Sequence, residues 1–111
     1  VLLPGGRAVP HSAEALTSPK MASLVEECKH RYPSRIVLFD LPPLLQTADV
    51  LAFSPYTDAL LLVVEDGKTT SEEIERALQL VKGNTPVLGT VLNKAGKGHM
   101  TPAAMKRMLL T

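Results

Sequence analysis

The sequence predicts an α/β fold in which a mainly parallel sheet is flanked by helices. Three short apolar runs, at 36–39, 59–64 and 87–92, have the length and the aliphatic content of buried strands. An amphipathic pattern lies between the last two runs, and another precedes the first. Buried strands that alternate with amphipathic helices are typical of right-handed β-α-β crossovers, whose strands run parallel. We therefore expect one α/β domain over residues 1–111.

The N-terminal part of the chain predicts a strand end followed by a helix. The apolar stub at 1–3 is ended by Pro-Gly-Gly at 4–6, which is typical of a strand whose beginning is missing. Ser18 and Pro19 form an N-cap and a first helical residue. Apolar residues then recur at helical spacing at Met21, Leu24, Val25 and Cys28. This helix is predicted to end before Pro33.

The three apolar runs are predicted to be the strands of the sheet. The first run is followed by Asp40 and is broken at once by two prolines at 42–43, and we expect it to be buried on both faces. The runs at 59–64 and 87–92 have the same character. Between them, Thr70 and Glu73 have the spacing of a capping box, which predicts a surface helix there. A loop at 96–99 and a last helix capped by Thr101 and Pro102 complete the prediction.

Composition excludes several classes of function. The net charge is only +1 and the charged residues are scattered, which argues against nucleic acid as a partner. The single cysteine cannot form an internal disulfide, which fits a reducing cytoplasm. The apolar runs are too short to span a bilayer. The sequence therefore predicts a cytoplasmic location, with any attachment at the inner membrane made through a partner.

Two polar residues directly follow predicted strands. Ligands of open parallel sheets bind at the carboxyl ends of the strands, where Asp40 and Asn93 are expected. A carboxylate in that position can hold Mg²⁺, or it can simply cap a loop. The amide of Asn93 can recognise the edge of a base, or it can satisfy a turn. The residue pattern leaves both alternatives open.

The sequence around Asp40 resembles the bacterial tyrosine kinases of exopolysaccharide loci. In that family a hydrophobic Walker B strand is followed by Asp, one residue and Pro-Pro, as in IVLFDLPP at 36–43. Further similarity, in the family's order and approximate spacing, is found in LPGG at 3–6, PHSAEALTS at 10–18, TAD at 47–49, Asp58, VV at 63–64, Gly67, TT at 69–70 and GTVLN at 89–93. At 11–12 the chain has His-Ser where the family usually has Asn-Pro.

The resemblance implies both a fold and an activity. The fold is a partial P-loop fold of the doubly wound type. The resemblance also implies that Asp40 is the Walker B acid that assists Mg²⁺ and that Asn93 lies near the adenine of ATP, as in related MinD/ParA-type ATPases. Asp49 is a further candidate for the nucleotide site. The implied reaction is transfer of the γ-phosphoryl group of ATP to tyrosine, chiefly in the protein's own C-terminal tail. The implied partner is a membrane protein of polysaccharide export that activates the kinase.

Parts of the kinase machinery do not occur in this sequence. It contains no G-x-x-x-x-G-K-[ST] motif, and the Gly-Lys-Gly at 96–98 lacks the required spacing. Tyr32 and Tyr56 are the only tyrosines, so the family's C-terminal tyrosine cluster is absent. We therefore expect a C-terminal portion of a kinase domain that binds ATP weakly and is inactive alone. The alternative is a MinD/ParA-like regulator that uses nucleotide without phosphorylating tyrosine.

The missing P-loop strand also predicts how the chain assembles. In the family this strand lies between the strands that correspond to 36–40 and 59–64. Without it, those two strands must pair directly or leave unpaired backbone groups, and exposed strand edges recruit other chains. We therefore expect either direct pairing of these strands or self-association of the chain, with exchange of an element between two copies as one route.

Overall fold

The structure is a computed structural model, and it describes residues 2–96. The chain divides into two compact units, Val1–Tyr56 and Thr57–Thr111. The predicted helix after Thr101 and residues 97–99 of the predicted loop lie outside the described residues. The prediction of a single domain is not tested by this division.

The first unit is built from short helices. Helix α1 spans Ser12–Leu16, α2 spans Pro19–Arg31 and α3 spans Asp49–Phe53, followed by a turn of 3₁₀ helix at Ser54–Tyr56. The predicted start of α2 is confirmed, because the Ser18 hydroxyl accepts a hydrogen bond from the Met21 N–H at 3.3 Å. The predicted end before Pro33 is confirmed as well.

The core of the first unit is aromatic and aliphatic. Val25 of α2 and Val50 and Phe53 of α3 are buried. The Phe53 ring lies 4.8 Å from the ring of Phe39 in an edge-on arrangement and 5.5 Å from the ring of Tyr56. These rings hold the segment that precedes Asp40 against α3.

The prediction of a strand at 36–39 is wrong. The described residues of the first unit contain no strand, and Ile36 and Leu38 are 90% and 82% exposed. The sequence pattern is that of a strand, but a strand needs a neighbour to satisfy its backbone N–H and C=O groups. No such neighbour is described for this segment. Residues 2–3 likewise form no strand.

The second unit is a β-α-β unit, as predicted. Strand β1 spans Leu60–Glu65, helix α4 spans Ser71–Val81 and strand β2 spans Val87–Asn93. The two strands are parallel neighbours, with Val63 opposite Val91 and Glu65 opposite Asn93. The predicted α/β class with a parallel sheet and flanking helices is therefore confirmed.

Helix α4 begins at the predicted capping box. The Thr70 hydroxyl accepts a hydrogen bond from the Glu73 N–H at 3.2 Å, and the Glu73 carboxylate accepts one from the Thr70 N–H at 2.9 Å. This reciprocal pair satisfies two backbone donors that the first turn of a helix otherwise leaves free. Ile74, Ala77 and Val81 recur at helical spacing and are buried.

The sheet is covered on one face only, which corrects the prediction that its strands are buried on both faces. Val64 is buried, whereas Leu61 and Val63, on the opposite face of β1, are 55% and 60% exposed. Val91 beside Val63 is also exposed. A continuous apolar run predicts burial on both faces, but a sheet face is buried only where a further layer packs on it. The part of the chain that the structure describes includes no helix long and apolar enough to cross a membrane.

Candidate functional site

Asn93 lies where the sequence predicts it, at the carboxyl end of a parallel strand. It is the last residue of β2 and pairs with Glu65, the last residue of β1. Its carbonyl oxygen accepts a hydrogen bond from the Asp66 N–H at 2.9 Å, which continues the ladder one residue beyond the end of β1. The backbone of Asn93 is therefore fixed at the edge of the sheet where ligands of such sheets bind.

The side chain of Asn93 is oriented by the residue that follows it. The Lys94 N–H donates a hydrogen bond to Asn93 Oδ1 at 2.9 Å. A backbone N–H can only donate, so this contact assigns the oxygen of the amide and distinguishes it from the nitrogen. The Nδ2 group carries the two donors of the amide. Such donors can bind the acceptor nitrogens of a base.

Lys94, whose N–H donates to the Asn93 side chain, has an unusual backbone conformation. Its φ is +57°, in the left-handed region that residues other than glycine and asparagine rarely adopt. Its ammonium group lies 3.0 Å from the carboxylate of Glu65. The ion pair therefore links the carboxyl ends of the two strands and holds the turn that follows β2.

Glu65 is the centre of a small charged cluster. Its carboxylate accepts a hydrogen bond from Lys94 and lies 3.5 Å from the ammonium of Lys68. The hydrogen bond to Lys94 is the main cause that lowers the pKa of Glu65 below its ordinary value of 4.5, and the charges of both lysines act in the same direction. The Thr69 hydroxyl accepts a hydrogen bond from the Glu65 N–H at 2.9 Å. Because its pKa is lowered, the Glu65 carboxylate stays ionised to a lower pH than an isolated glutamate does.

The sequence analysis did not identify Glu65, Lys68 or Lys94. The only available signal was the position of Glu65 at the end of an apolar run, the same position that singled out Asp40. The pairing with Lys94 depends on the register of β1 and β2, which the apolar pattern does not specify. The second unit therefore carries an ordered polar cluster around Asn93.

Asp40 is exposed and lies outside any helix or strand. The prediction that it ends a central strand is wrong, because residues 36–40 form no strand. Its position is set instead by Phe39, whose ring packs on Phe53 of α3. Asp40 belongs to the first unit and Asn93 to the second. The predicted role of Asp40 at Mg²⁺ is untested and stays a prediction.

Asp49, the third candidate, has a structural partner. It is the first residue of α3, and its Oδ1 accepts a hydrogen bond from the Ser12 hydroxyl at 2.7 Å. The Asp49 N–H donates to the Thr47 hydroxyl at 3.4 Å. Asp49 therefore ties α1 to α3. Its predicted role near the nucleotide remains a prediction.

The described residues fit an ATP-Mg²⁺ site only in part. They contain no group of three or more His, Cys, Asp or Glu side chains that could hold a metal ion by itself. Mg²⁺ in phosphoryl-transfer sites is usually bound by one or two carboxylates together with phosphate oxygens and water, so a single aspartate such as Asp40 is compatible with it. The phosphates need a cradle of backbone N–H groups and a lysine, and the sequence contains no such motif.

Known proteins similar to this chain include kinases and a transport protein of polysaccharide synthesis. The succinoglycan biosynthesis transport protein ExoP of Rhizobium meliloti (strain 1021) is 38% identical over 92 residues, which are 80% of this chain. The tyrosine-protein kinase YwqD of Bacillus subtilis (strain 168) is 33% identical over 83% of this chain. The tyrosine-protein kinase ptk of Acinetobacter johnsonii is 28% identical over 79% of this chain.

These relatives confirm the predicted resemblance to the bacterial tyrosine kinases of exopolysaccharide synthesis. The match covers only part of each relative, namely 11% of ExoP, 38% of YwqD and 12% of ptk. No protein-family model matches the chain. No solved structure matches it significantly.

Proposed function

The chain is a homologue of the bacterial tyrosine kinases, and on that premise we propose that it is part of a tyrosine autokinase that regulates the synthesis and export of an exopolysaccharide. The observation that carries the proposal is the similarity to YwqD, a tyrosine-protein kinase, over 83% of this chain. The name of ExoP adds the link to the synthesis of an exopolysaccharide. These names favour a kinase over the MinD/ParA-like regulator that the sequence left open.

We assign roles in phosphoryl transfer to two residues. Asp40 is the acid that assists Mg²⁺, since an exposed carboxylate can approach the metal directly or through water. Asn93 would contact the adenine, whose ring nitrogens can accept hydrogen bonds from its Nδ2 group, while its Oδ1 accepts a hydrogen bond from the Lys94 N–H. Both assignments rest on the family resemblance and on the chemistry of the side chains. Bound ATP-Mg²⁺ would supply the transferable phosphoryl group.

The chain alone supplies too few of the required groups for activity. Phosphoryl transfer depends on the positioning of the phosphates and on charge stabilisation by a lysine and the metal. The sequence offers Asp40 and Asn93 but no phosphate-binding loop. We therefore propose that this polypeptide binds ATP weakly and is inactive unless another segment provides the loop.

We also propose where and with what the protein works. It acts in the cytoplasm, at the inner face of the membrane, through a membrane partner of the polysaccharide export system. The chain also associates with itself, because its sheet leaves an apolar face and strand edges unpaired within the described residues. A nucleic acid partner is not proposed, since the charge is nearly balanced.

A graft tests the proposed function directly. The 93 residues of YwqD that match this chain are replaced by the corresponding residues of this chain, and phosphotyrosine is measured after incubation with ATP-Mg²⁺. We expect the graft to phosphorylate itself on tyrosine, because YwqD then supplies the remaining parts of the site. A YwqD variant that lacks the 93 residues serves as the control without activity. A folded graft without phosphotyrosine would contradict the proposal.

A further inference from the structure

The turn that follows β2 links the side chain of Asn93 to the backbone of Lys94. Lys94 has a φ of +57°, and in this left-handed conformation its N–H donates a hydrogen bond to Asn93 Oδ1 at 2.9 Å. A residue other than glycine is strained in this region, and the strain persists only where surrounding contacts hold the residue. A contact that holds Lys94 therefore also fixes the orientation of the Asn93 amide.

The contact that holds Lys94 is its ion pair with Glu65. The ammonium Nζ lies 3.0 Å from Glu65 Oε1, although the two residues are 29 positions apart in the chain. Ion pairs between freely moving surface side chains contribute little, because ordering both side chains costs entropy. In this pair the Lys94 side chain is 65% exposed, whereas that of Glu65 is only 31% exposed. The pair therefore has one exposed partner and one that is largely covered.

Glu65 is a rigid anchor for the ion pair. Its N–H donates to the Thr69 hydroxyl at 2.9 Å, and its carbonyl oxygen accepts hydrogen bonds from the N–H groups of Lys68 and Thr69 at 3.3 and 3.0 Å. Gly67, with a φ of +72°, supplies the left-handed residue of this turn without strain. Thr70 then caps α4. The backbone of Glu65 is thus fixed between β1 and α4 before its side chain meets Lys94.

Backbone contacts join the two strands at the same point. Glu65 is opposite Asn93 in the register of the sheet, and the Asp66 N–H donates to the Asn93 carbonyl oxygen at 2.9 Å. The backbone of Asn93 is therefore held by β1, its side chain by Lys94, and Lys94 by Glu65. These contacts form a closed ring around the Asn93 amide, and all of its members belong to the second unit.

We propose that Glu65 and Lys94 are positioning residues, which together fix the amide of Asn93 for recognition of the adenine of ATP. The inference rests on the proposed function, in which Asn93 contacts the base. An asparagine amide can bind the N6 and N7 positions of adenine with its oxygen and its nitrogen together. Oδ1 has two lone pairs, so it can accept from the Lys94 N–H and from the base. An amide that is oriented before ATP binds loses less freedom on binding, which raises the affinity.

NMR on the chain tests the positioning without any kinase activity. The rate of hydrogen exchange at the Lys94 N–H is compared between the wild type and Glu65→Gln, and we expect the variant to exchange at least about threefold faster, because the turn opens more often. The matched control is Lys68→Ala, which removes the other lysine beside Glu65, 3.5 Å away, without affecting the link to Asn93. It should leave the exchange rate unchanged. Equal rates in Glu65→Gln and the wild type, with the amide signals of α4 preserved in both, would overturn the inference.

Kinetics of the YwqD graft test the consequence for ATP. Glu65→Gln and Lys94→Ala should each raise KM for ATP by about threefold to tenfold and leave kcat nearly unchanged, because the amide acts on the base and not on the transferred phosphoryl group. The double variant should be no worse than either single variant, since the two residues act as one pair. Lys94→Arg keeps the charge and should behave as the unmodified graft does.

The control for the kinetics is Lys82→Ala, which removes an exposed lysine directly after α4 and should leave both constants unchanged. An unmodified graft that forms no phosphotyrosine would contradict the proposed function. An active graft whose KM for ATP is the same in Lys94→Ala, or rises equally in Lys94→Arg, would overturn the positioning role of the ion pair instead.

Discussion

The hydrogen bond between Ser12 and Asp49 should contribute measurably to the stability of the first unit. It joins the first residue of α1 to the first residue of α3, and the two oxygens are 2.7 Å apart. Both side chains are half-buried, so water competes with the bond only in part. Hydrogen bonds to charged groups contribute about 1.5 to 3 kcal/mol, and partial exposure reduces this to about 1 kcal/mol.

A double-mutant cycle isolates that contribution. The free energy of unfolding is measured by urea denaturation for the wild type, Ser12→Ala, Asp49→Ala and the double variant. We expect Ser12→Ala to lose about 1 kcal/mol, and the coupling energy of the pair to be of similar size. The control Ser71→Ala deletes the same hydroxyl from an exposed serine of α4 and should change stability by less than about 0.5 kcal/mol.

The result that would refute the reasoning is a coupling energy indistinguishable from zero. The hydrogen bond between Ser12 and Asp49 would then add nothing to the free energy of unfolding, and apolar packing alone would stabilise the contact between α1 and α3. A coupling energy of about 1 kcal/mol would show that Asp49 stabilises the contact between α1 and α3. The stability of an Asp49 variant would then have to be measured before a loss of its activity is assigned to a nucleotide contact.

Three further predictions concern the second unit and the whole chain. Thr70→Ala should destabilise the chain by about 1 kcal/mol, because it removes the N-cap of α4, and a Thr70→Ser variant that is as unstable as alanine would contradict this. The lowered pKa of Glu65 means that its ionised form stabilises the fold, so this contribution is present above its ordinary value of 4.5 and is lost as the pH falls below it. Urea denaturation at a series of pH values should therefore show a smaller loss of stability in acid for Glu65→Gln than for the wild type, and equal losses would contradict the ion pair with Lys94. Calorimetry should detect no micromolar binding of ATP-Mg²⁺ to the isolated chain, since the sequence offers no phosphate-binding loop.

The local signals in the sequence predicted the second unit well. The capping box at Thr70 and Glu73, and the two apolar runs on either side of it, gave a strand, a helix and a parallel strand within a residue or two of their observed bounds. Each of these elements is stabilised by residues close to it in sequence or by the neighbouring strand. The start of α2 at Ser18 was predicted for the same reason.

The segment before Asp40 could not be predicted in the same way. Its apolar pattern is as strong as that of β1, but a strand forms only when another strand pairs with it, and this depends on contacts distant in sequence. The register that places Lys94 beside Glu65 is also a tertiary property. The candidate site was therefore predicted as isolated residues at strand ends, while the polar cluster around Asn93 required the structure.

The effect of Asp40→Asn in the YwqD graft tests the central claim most directly. The variant keeps the size of the side chain and removes the charge that is proposed to assist Mg²⁺. Phosphotyrosine formation is measured against the unmodified graft and against Glu75→Gln, which removes an exposed carboxylate of α4. The account predicts that Asp40→Asn abolishes phosphotyrosine formation and that Glu75→Gln leaves it unchanged. Undiminished phosphotyrosine in the folded Asp40→Asn graft would contradict it.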